Sequence, residues 1–337
     1  MRIARHVRKL EEYVPGEQPR AKSVVKLNTN ENPYPPSPKC RAALRAFDYA
    51  RLRRYPDPNC SELCAEIARL NGTTPERVFI GNGSDEILAL AAKCFVEDDE
   101  SIGSLDPSYS LYKTLAAIRN VKWTGLDVTA STSLFLLTNP NAPTGEFREP
   151  SEIAAFAKKF RGVVIVDEAY GDFARANCMS LATAEANRNL IAMRTFSKSY
   201  SLAGLRVGYC VGPRDLIRAM YKVKDSYNVD AVAQDVACAA LSDLDWMRAN
   251  VAKVVKTRAE TAAELRRRGW DVPESQSNFL FAKPAHRPAA EIFEALRARG
   301  IFVRYFPGPE TGDRLRITIG TDTDMKTLLT ALEELDK

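Results

Sequence analysis

The chain has 337 residues, of which 45% are hydrophobic and 27% charged, with 17 Gly and 19 Pro. That composition is typical of a soluble globular protein and excludes collagen-like, mucin-like and disordered chains. Lys and Arg exceed Asp and Glu by only five charges, too small an excess for the basic surface of a nucleic-acid binder. The length suits about two domains.

The cysteines and the N-terminus exclude further classes. Seven cysteines, an odd number, are spread through apolar or helical stretches, and only Cys60 and Cys64 lie close, with no second pair or histidine beside them. We therefore expect reduced core thiols and no metal. The N-terminal MRIARHVRKLEEY lacks the apolar segment of a signal peptide, and no run approaches the roughly 18 apolar residues of a membrane span. We expect a cytoplasmic protein with neither a membrane nor a nucleic acid as partner.

Residues 1–40 contain the Pro-rich stretches VPGEQPR and NENPYPPSP, which predict an irregular arm extended over the functional site. Short β-branched runs then alternate with helical patterns. The predicted strands are 78–80, 101–105, 134–138, 163–166, 190–193 and 207–211, and the predicted helices between or after them are 85–97, 108–119, 151–160 and 213–225. This alternation predicts an α/β fold with a large, mostly parallel sheet, of the seven-stranded type, and helices on both faces.

The C-terminal part changes character. A long Ala-rich helical pattern covers 234–268, followed by a strand at 278–282, a helix at 288–299, a strand at 314–319 and a helix at 322–335. We expect a smaller α+β domain here. The predicted division is a large domain over 41–233 and a second unit that combines the N-terminal arm, 1–40, with 234–337.

Ligands of open α/β sheets bind at the carboxyl ends of the strands, so the residues that follow each strand are the candidates. GNGSDE at 81–86 opens a helix whose free N–H groups could hold a phosphate, although ordinary helix capping would explain the same residues. Asp167 ends a buried strand and needs a partner there, which a cap or a salt bridge could equally supply. Lys198 lies between serines; a desolvated lysine with a lowered pKa forms Schiff bases, whereas a single Ser-Lys-Ser is more often surface. The combination of all these residues at successive strand ends indicates a catalytic site.

The combination resembles pyridoxal-phosphate enzymes of the aspartate aminotransferase fold, known as fold type I, and among them the histidinol-phosphate aminotransferase family. The resemblance runs from about Tyr13 to Thr321. The motifs that carry it are LNTNENPY at 27–34, RYPDP at 54–58, GNGSDE at 81–86, DPSY at 106–109, NPNAPTG at 139–145, VDEAY at 166–170, TFSKSYSLAGLRVGY at 195–209 and LRITIGT at 315–321.

The resemblance implies three catalytic residues and pyridoxal 5′-phosphate as cofactor. Lys198 would bond the cofactor and carry the substrate proton, and Asp167 would keep the pyridine nitrogen protonated so that the ring accepts electrons. Tyr170 would donate to the phenolic oxygen of the cofactor, and Tyr109 would stack on its ring.

The resemblance also implies a phosphate cradle and a homodimer. The helix start at Ser84, Asp85 and Glu86 would hold the cofactor phosphate, together with Ser197 and Arg206. Tyr55 would reach the same phosphate from a second subunit, so that the homodimer shares its active sites.

Two departures from the family accompany the resemblance. Ala142 stands where the family usually has Asn before Pro-Thr-Gly, and Asn141 is the candidate to replace its hydrogen bond. The segment 122–133 is much shorter than the corresponding family segment, which bears on specificity or on the edge of the sheet.

The expected reaction is transamination of L-histidinol phosphate with 2-oxoglutarate, a step of histidine biosynthesis. Arg316 would receive the carboxylate of the amino-acid co-substrate and Arg304 the distal phosphate, although a surface arginine would also explain Arg304. Tyr13, Glu31 and Asn32 would close over the substrate. The alternatives are an L-threonine-O-3-phosphate decarboxylase, an aminotransferase of broader aromatic or aliphatic range, and a cofactor-binding regulator without turnover, for which the chain before Tyr13 leaves no room for a DNA-binding domain.

Overall fold

The computed structural model describes residues 2–10, 16–19 and 23–335. The strands are β1 Val25–Lys26, β2 Val78–Gly81, β3 Ser101–Ser104, β4 Lys122–Gly125, β5 Thr132–Thr138, β6 Val163–Asp167, β7 Leu190–Thr195, β8 Gly208–Val211, β9 Phe279–Ala282, β10 Ile301–Phe302, β11 Arg304–Tyr305 and β12 Leu315–Thr318. The α-helices are α1 Pro38–Ala46, α2 Ser61–Leu70, α3 Ser84–Phe95, α4 Leu111–Arg119, α5 Pro150–Lys159, α6 Met179–Thr183, α7 Arg214–Val223, α8 Ala231–Leu241, α9 Leu244–Arg267, α10 Ala289–Ala298 and α11 Asp322–Leu335.

The central feature is a seven-stranded sheet in the order β2-β8-β7-β6-β5-β3-β4. Only β8 runs antiparallel to its two neighbours; the other pairs are parallel. The inner strands are apolar along their length, as VVIV in β6 illustrates, because helices cover both faces of the sheet. The prediction of a large, mostly parallel sheet is confirmed.

The short segment 122–133 supplies a strand that the sequence reading missed. Its first residues form β4, which pairs in parallel with β3 at the edge of the sheet. The indole N–H of Trp123 donates to Ser104 Oγ at 3.0 Å, and the ammonium of Lys113 lies 4.1 Å from the centre of the indole ring. The shortened segment therefore keeps the seventh strand and completes the sheet.

The continuous helix predicted over 234–268 is wrong, because the chain breaks at Ser242 and Asp243 into α8 and α9. Asp230 caps the start of α8 by accepting from the Ala233 N–H at 2.8 Å. The helix therefore begins at Ala231, three residues before the predicted start at 234. At the break, the hydroxyl of Ser37 bonds the Asp243 carboxylate. A side-chain bond to a distant segment thus lies at the break between the two helices.

Two hydrophobic cores lie on either side of α9. Helix α8 packs in the core of the large sheet together with α2, while the C-terminal half of α9 packs against the sheet β11-β12-β9. Strand β1 pairs in parallel with β10, and Leu27 lies buried in the second core. The N-terminal segment therefore joins the C-terminal unit, while the division at 40/41 and 233/234 stays a prediction.

All seven cysteines are free thiols, five of them buried. Over residues 2–10, 16–19 and 23–335, no cluster of His, Cys, Asp or Glu has the arrangement of a metal site. Within the same residues, no helix combines the length and the apolar character needed to cross a membrane. The cytoplasmic location stays a prediction.

Candidate active site

A cavity of about 520 Å³ opens at the carboxyl ends of the parallel strands, where open α/β sheets bind their ligands. Eleven of the residues predicted from the sequence line it: Glu31, Ser84, Asp85, Tyr109, Asp167, Tyr170, Ser197, Lys198, Arg206, Arg304 and Arg316. They come from the carboxyl ends of β6 and β7, the start of α3 after β2, the loop before α4, the segment before β8, the N-terminal segment and the small sheet. Residues distant in the sequence thus meet in one cavity.

Asp167 is the deepest charged group of the cavity. It ends β6, where Tyr112 donates its hydroxyl to one carboxylate oxygen at 2.9 Å and the Ala169 N–H donates to the other at 3.1 Å. Burial raises the pKa of Asp167 from 3.8 to about 6, and the carboxylates of Asp85 and Glu168 add to the rise. The group is therefore still ionised at neutral pH and can hold a positively charged ring nitrogen.

Lys198 lies in the loop after β7, with its ammonium nitrogen 3.2 Å from the carbonyl oxygen of Thr29. Burial lowers its pKa from 10.5 to about 8; the positive charges of Arg316 and Arg206 act in the same direction, against the carboxylate of Glu31. A minor part of the amine is therefore neutral at pH 7 and about half of it near pH 8, and the neutral form is the one that a nucleophile or a general base requires.

Tyr170 is held by the N-terminal segment. Asn30 donates its side-chain N–H to the Tyr170 hydroxyl at 2.9 Å, and Asn30 itself is fixed by Thr318, whose hydroxyl donates to Asn30 Oδ1 at 2.9 Å. The Lys198 ammonium lies 5.9 Å from the centre of the Tyr170 ring.

The start of α3 has the geometry of an anion site. Gly83 precedes the helix with φ +78°, and no side chain caps the first N–H groups. A Cβ on Gly83 would lie 2.5 Å from Nη2 of Arg206, and one on Gly208 would lie 2.7 Å from the backbone N of Ser84. The guanidinium of Arg206 reaches Ser197 Oγ at 3.4 Å and Asp85 at 3.3 Å. Backbone N–H groups, hydroxyls and a guanidinium therefore converge where only glycine leaves enough space.

The small sheet contributes two arginines. Arg304 of β11 and Arg316 of β12 are directly opposite each other in the antiparallel register, and both line the cavity. The Arg316 guanidinium donates to the backbone oxygen of Asn28 at 2.8 Å and lies 5.2 Å from the centre of the Phe306 ring. Arg304 stands 5.2 Å from the same ring. Two cations thus flank one aromatic side chain at the wall opposite the sheet.

Glu31 is the acidic residue that the described part of the N-terminal segment contributes to the cavity lining. Burial acts to raise its pKa, but hydrogen bonds from Lys26 and Thr29 and the charge of Lys26 lower it below the usual value. The carboxylate, ionised and paired with Lys26, opposes the two arginines around Lys198, as does that of Asp85 to a smaller extent.

Four other predicted residues do not line the cavity. Glu86 accepts from the Asn82 N–H and from the Asn228 amide, so it supports the turn before α3. Asn32 donates to the backbone oxygens of Lys198 and Ser199, both at 3.2 Å.

Asn141 donates to Pro107 O and to Thr144 Oγ1, both at 3.0 Å, and accepts from the Ser108 hydroxyl, while Ala142 faces the cavity. Tyr55 is 79% exposed and stacks on Tyr227 of the same chain. Tyr13 lies outside the described residues.

A family model described as "Aminotransferase class I and II" matches residues 22–332. The chain belongs to the class I and II aminotransferase family. It is 42% identical to the histidinol-phosphate aminotransferase of Syntrophotalea carbinolica, an alignment that covers 99% of both chains. The crystal structure of histidinol-phosphate aminotransferase from Sinorhizobium meliloti in complex with pyridoxal-5′-phosphate superposes with a TM-score of 0.89 at 24% identity, covering 99% of this chain and 97% of that one.

The structure of L-threonine-O-3-phosphate decarboxylase from Porphyromonas gingivalis superposes with a TM-score of 0.82 at 21% identity, covering 93% of this chain and all of that one. At such identities the likeness concerns the fold alone. The fold of this aminotransferase is therefore the fold-type-I architecture expected from the sequence.

Sequence reasoning missed two residues that hold Asp167 and Tyr170, which are candidate catalytic residues of this aminotransferase. Tyr112, fully buried, orients Asp167, and its position at the start of the helix after DPSY was the available signal. Asn30, within the NTNENPY stretch, orients Tyr170 across 140 positions of sequence. Only the fold brings that pair together.

Proposed function

We propose that this aminotransferase transfers the amino group of L-histidinol phosphate to 2-oxoglutarate, with pyridoxal 5′-phosphate as cofactor. The observation that carries the proposal is the pair of arginines, Arg304 and Arg316, side by side on the wall that faces Lys198 and Asp167. Both guanidinium groups line the cavity, where each can donate to an anionic group of a bound substrate.

The residues of the cavity fit pyridoxal phosphate. The close approach of Arg206 to Gly83, the uncapped start of α3 and the hydroxyl of Ser197 make a cradle for a phosphate group. The buried Asp167 carboxylate could pair with a protonated ring nitrogen, and a volume of about 520 Å³ suits a small cofactor with its substrate. Ser84, Ser197 and Arg206 would hold the phosphate, Asp167 the ring nitrogen, and Tyr170 the phenolic oxygen.

The chemistry divides between the group bound and the side chains around it. When bound, pyridoxal phosphate supplies an electron-accepting ring that stabilises the negative charge left on the substrate carbon. Lys198 Nζ, with its pKa lowered to about 8, accepts the proton that leaves that carbon and later returns it. The Asp167 carboxylate, held by Tyr112, would keep the ring nitrogen of the bound cofactor protonated through both half-reactions.

The two arginines suit the two halves of the reaction. Histidinol phosphate presents a distal phosphate and no carboxylate, whereas glutamate and 2-oxoglutarate present an α-carboxylate. A guanidinium binds either anion through two parallel hydrogen bonds, which an ammonium does not do. We assign Arg316 to the carboxylate and Arg304 to the distal phosphate.

A homodimer with shared active sites belongs to the proposal. Tyr55 lies outside the cavity of its own chain, and Tyr49 and Leu52 before it are 82% and 66% exposed. Exposed apolar side chains grouped on one surface are typical of protein interfaces. In such a dimer Tyr55 would bond the cofactor phosphate of the partner subunit.

The experiment that tests the substrate assignment measures the two half-reactions separately in arginine variants. Arg316→Lys should slow the glutamate half-reaction more than the histidinol phosphate one. Arg304→Ala should chiefly reduce kcat/KM for histidinol phosphate and shrink the preference over unphosphorylated histidinol. Each lost charge-assisted bond is worth roughly 1.5–3 kcal/mol, or about tenfold to a hundredfold in rate.

Arg314→Lys is the matched control, because Arg314 pairs with Asp271 and lies outside the cavity. Wild-type protein that shows no preference for phosphorylated substrate, or that releases carbon dioxide from threonine phosphate without consuming a keto acid, contradicts the substrate assignment. Borohydride reduction of the loaded protein and peptide mapping test the cofactor assignment, which requires the pyridoxyl label on Lys198.

A further inference from the structure

A buried network of charged side chains lies behind Lys198, outside the cavity. Arg194 of β7 donates to Glu168 at 3.1 Å through two nitrogens and to Asp172 at 2.7 Å. The three side chains are 13%, 0% and 19% exposed. Glu168 also accepts from the backbone N–H of Cys178. One guanidinium therefore joins two carboxylates from the loop after β6.

The network touches the flanks of both catalytic residues. Glu168 directly follows Asp167 in the chain. Asp172 accepts the hydroxyl hydrogen of Ser199 at 2.5 Å, and Ser199 directly follows Lys198. On the other side of this loop, Asn32 donates to the backbone oxygens of Lys198 and Ser199. The Lys198–Ser199 peptide is thus held from two directions.

Burying three charges is costly, and apolar side chains of similar size often stabilise a protein as well or better. The network therefore contributes little to the free energy of unfolding. Its fixed geometry can, however, set the position of a neighbouring group. The charges that act most strongly on Lys198 are those of Arg316, Glu31, Arg206 and Asp85, not that of Asp172. An effect of Asp172 on Lys198 would accordingly pass through Ser199 and the backbone.

We propose that Arg194, Glu168 and Asp172 form a positioning unit that sets the place of Lys198 relative to Asp167, with Asp172 acting through the hydroxyl of Ser199. The unit spans from the end of β6 to the loop after β7, the two segments that carry the reacting side chains. This inference rests on the catalytic role proposed for Lys198.

The test combines turnover with the pH profile of Lys198 acylation. Ser199→Ala removes the hydroxyl while Arg194 keeps both carboxylates. In the loaded enzyme we expect kcat to fall roughly ten- to hundredfold with KM nearly unchanged, because misplacing a reacting group by about 1 Å has such an effect. In the full chain without cofactor, competitive acetylation read by mass spectrometry should give a half-point near pH 8 for Lys198 in the wild type. The half-point should rise in Ser199→Ala, because a displaced amine is better hydrated.

Ser199→Thr keeps a hydroxyl and should restore both measurements. Asp172→Asn should reproduce the effect of Ser199→Ala, and the double variant should be no worse than Asp172→Asn alone if the two act as one path. The exposed Asp127→Asn is the matched control for a change of charge. Additive losses in the double variant would refute the path through Ser199.

A loss of thermal stability with unchanged kcat and an unchanged acylation half-point would leave only a structural role and overturn the proposal. The outcome is separable from that of the proposed function. If borohydride labelling placed the cofactor on another lysine, the function would fail, while the acylation profile of Lys198 would still report whether Ser199 and Asp172 position it.

Discussion

Replacing Asp167 by Asn should stabilise the cofactor-free protein while it removes most of the activity. Burial raises the pKa of Asp167 from 3.8 to about 6, above its value in an unfolded chain. The folded protein therefore binds this proton more tightly, and the favourable contribution of the protonated group is complete below about pH 4 and lost as the pH rises through 6. A pKa about two higher in the folded state corresponds to roughly 3 kcal/mol of free energy of unfolding.

The net gain is smaller than that figure. Asn is nearly isosteric, and its oxygen can accept from the Ala169 N–H, while its amide would face the Tyr112 hydroxyl in place of a carboxylate oxygen. Weakening that hydrogen bond costs roughly 1 kcal/mol. We expect a gain of roughly 1–2 kcal/mol at pH 7.5, and none below about pH 4, where the carboxyl is protonated in both states.

The assay is urea unfolding of the cofactor-free variant and wild type at pH 7.5 and near pH 4, with the exposed Asp127→Asn as control. Turnover of the loaded variant should fall at least roughly a hundredfold, equivalent to about 3 kcal/mol of barrier, because the neutral amide no longer holds a positive ring nitrogen. Equal stability at pH 7.5 together with near-normal turnover would refute the reasoning.

Three further predictions follow from the same geometry. Lys198→Met should abolish turnover and stabilise the cofactor-free protein by up to roughly 3 kcal/mol below pH 8, as measured by urea unfolding. The gain should fade by about pH 10.5, because the wild type loses the cost of burying a charged amine as the pH rises from 8 to 10.5. Gly83→Ala should weaken cofactor affinity roughly tenfold or more in an absorbance titration, because the new methyl group meets Arg206 Nη2 at 2.5 Å; unchanged affinity would remove the cradle from the proposal. Mixing Lys198→Ala chains with Tyr55→Ala chains should restore part of the activity in heterodimers, and no recovery in heterodimers shown to form would mean that Tyr55 does not serve the partner's site.

The sequence by itself determined the large sheet and the placement of residues at its strand ends. Runs such as VVIV are apolar at every position, which is typical of a strand that is buried on both faces of a sheet. The chain must turn directly after such a run. Asp167 ends β6, and Ser84 and Lys198 follow β2 and β7. These three strands run in the same direction, so the residues at their carboxyl ends lie at one edge of the sheet.

The tertiary structure alone decided the contacts that orient those residues. The antiparallel register of β11 and β12 puts Arg304 opposite Arg316, and a shift of one residue would turn one of them away. The Asn30–Tyr170 bond and the Asp172–Ser199 bond join segments through side chains that carry no local pattern.

Edges and breaks of elements depended on the same distant contacts. The break between α8 and α9, where Asp243 accepts from Ser37, and the pairing of β4 with β3 have no distinctive sequence signal. Local propensity and hydrophobic periodicity act over a few residues and so can be read along the chain. Pairing register, side-chain hydrogen bonds and burial arise only when distant segments pack together, and for that reason they required the folded structure.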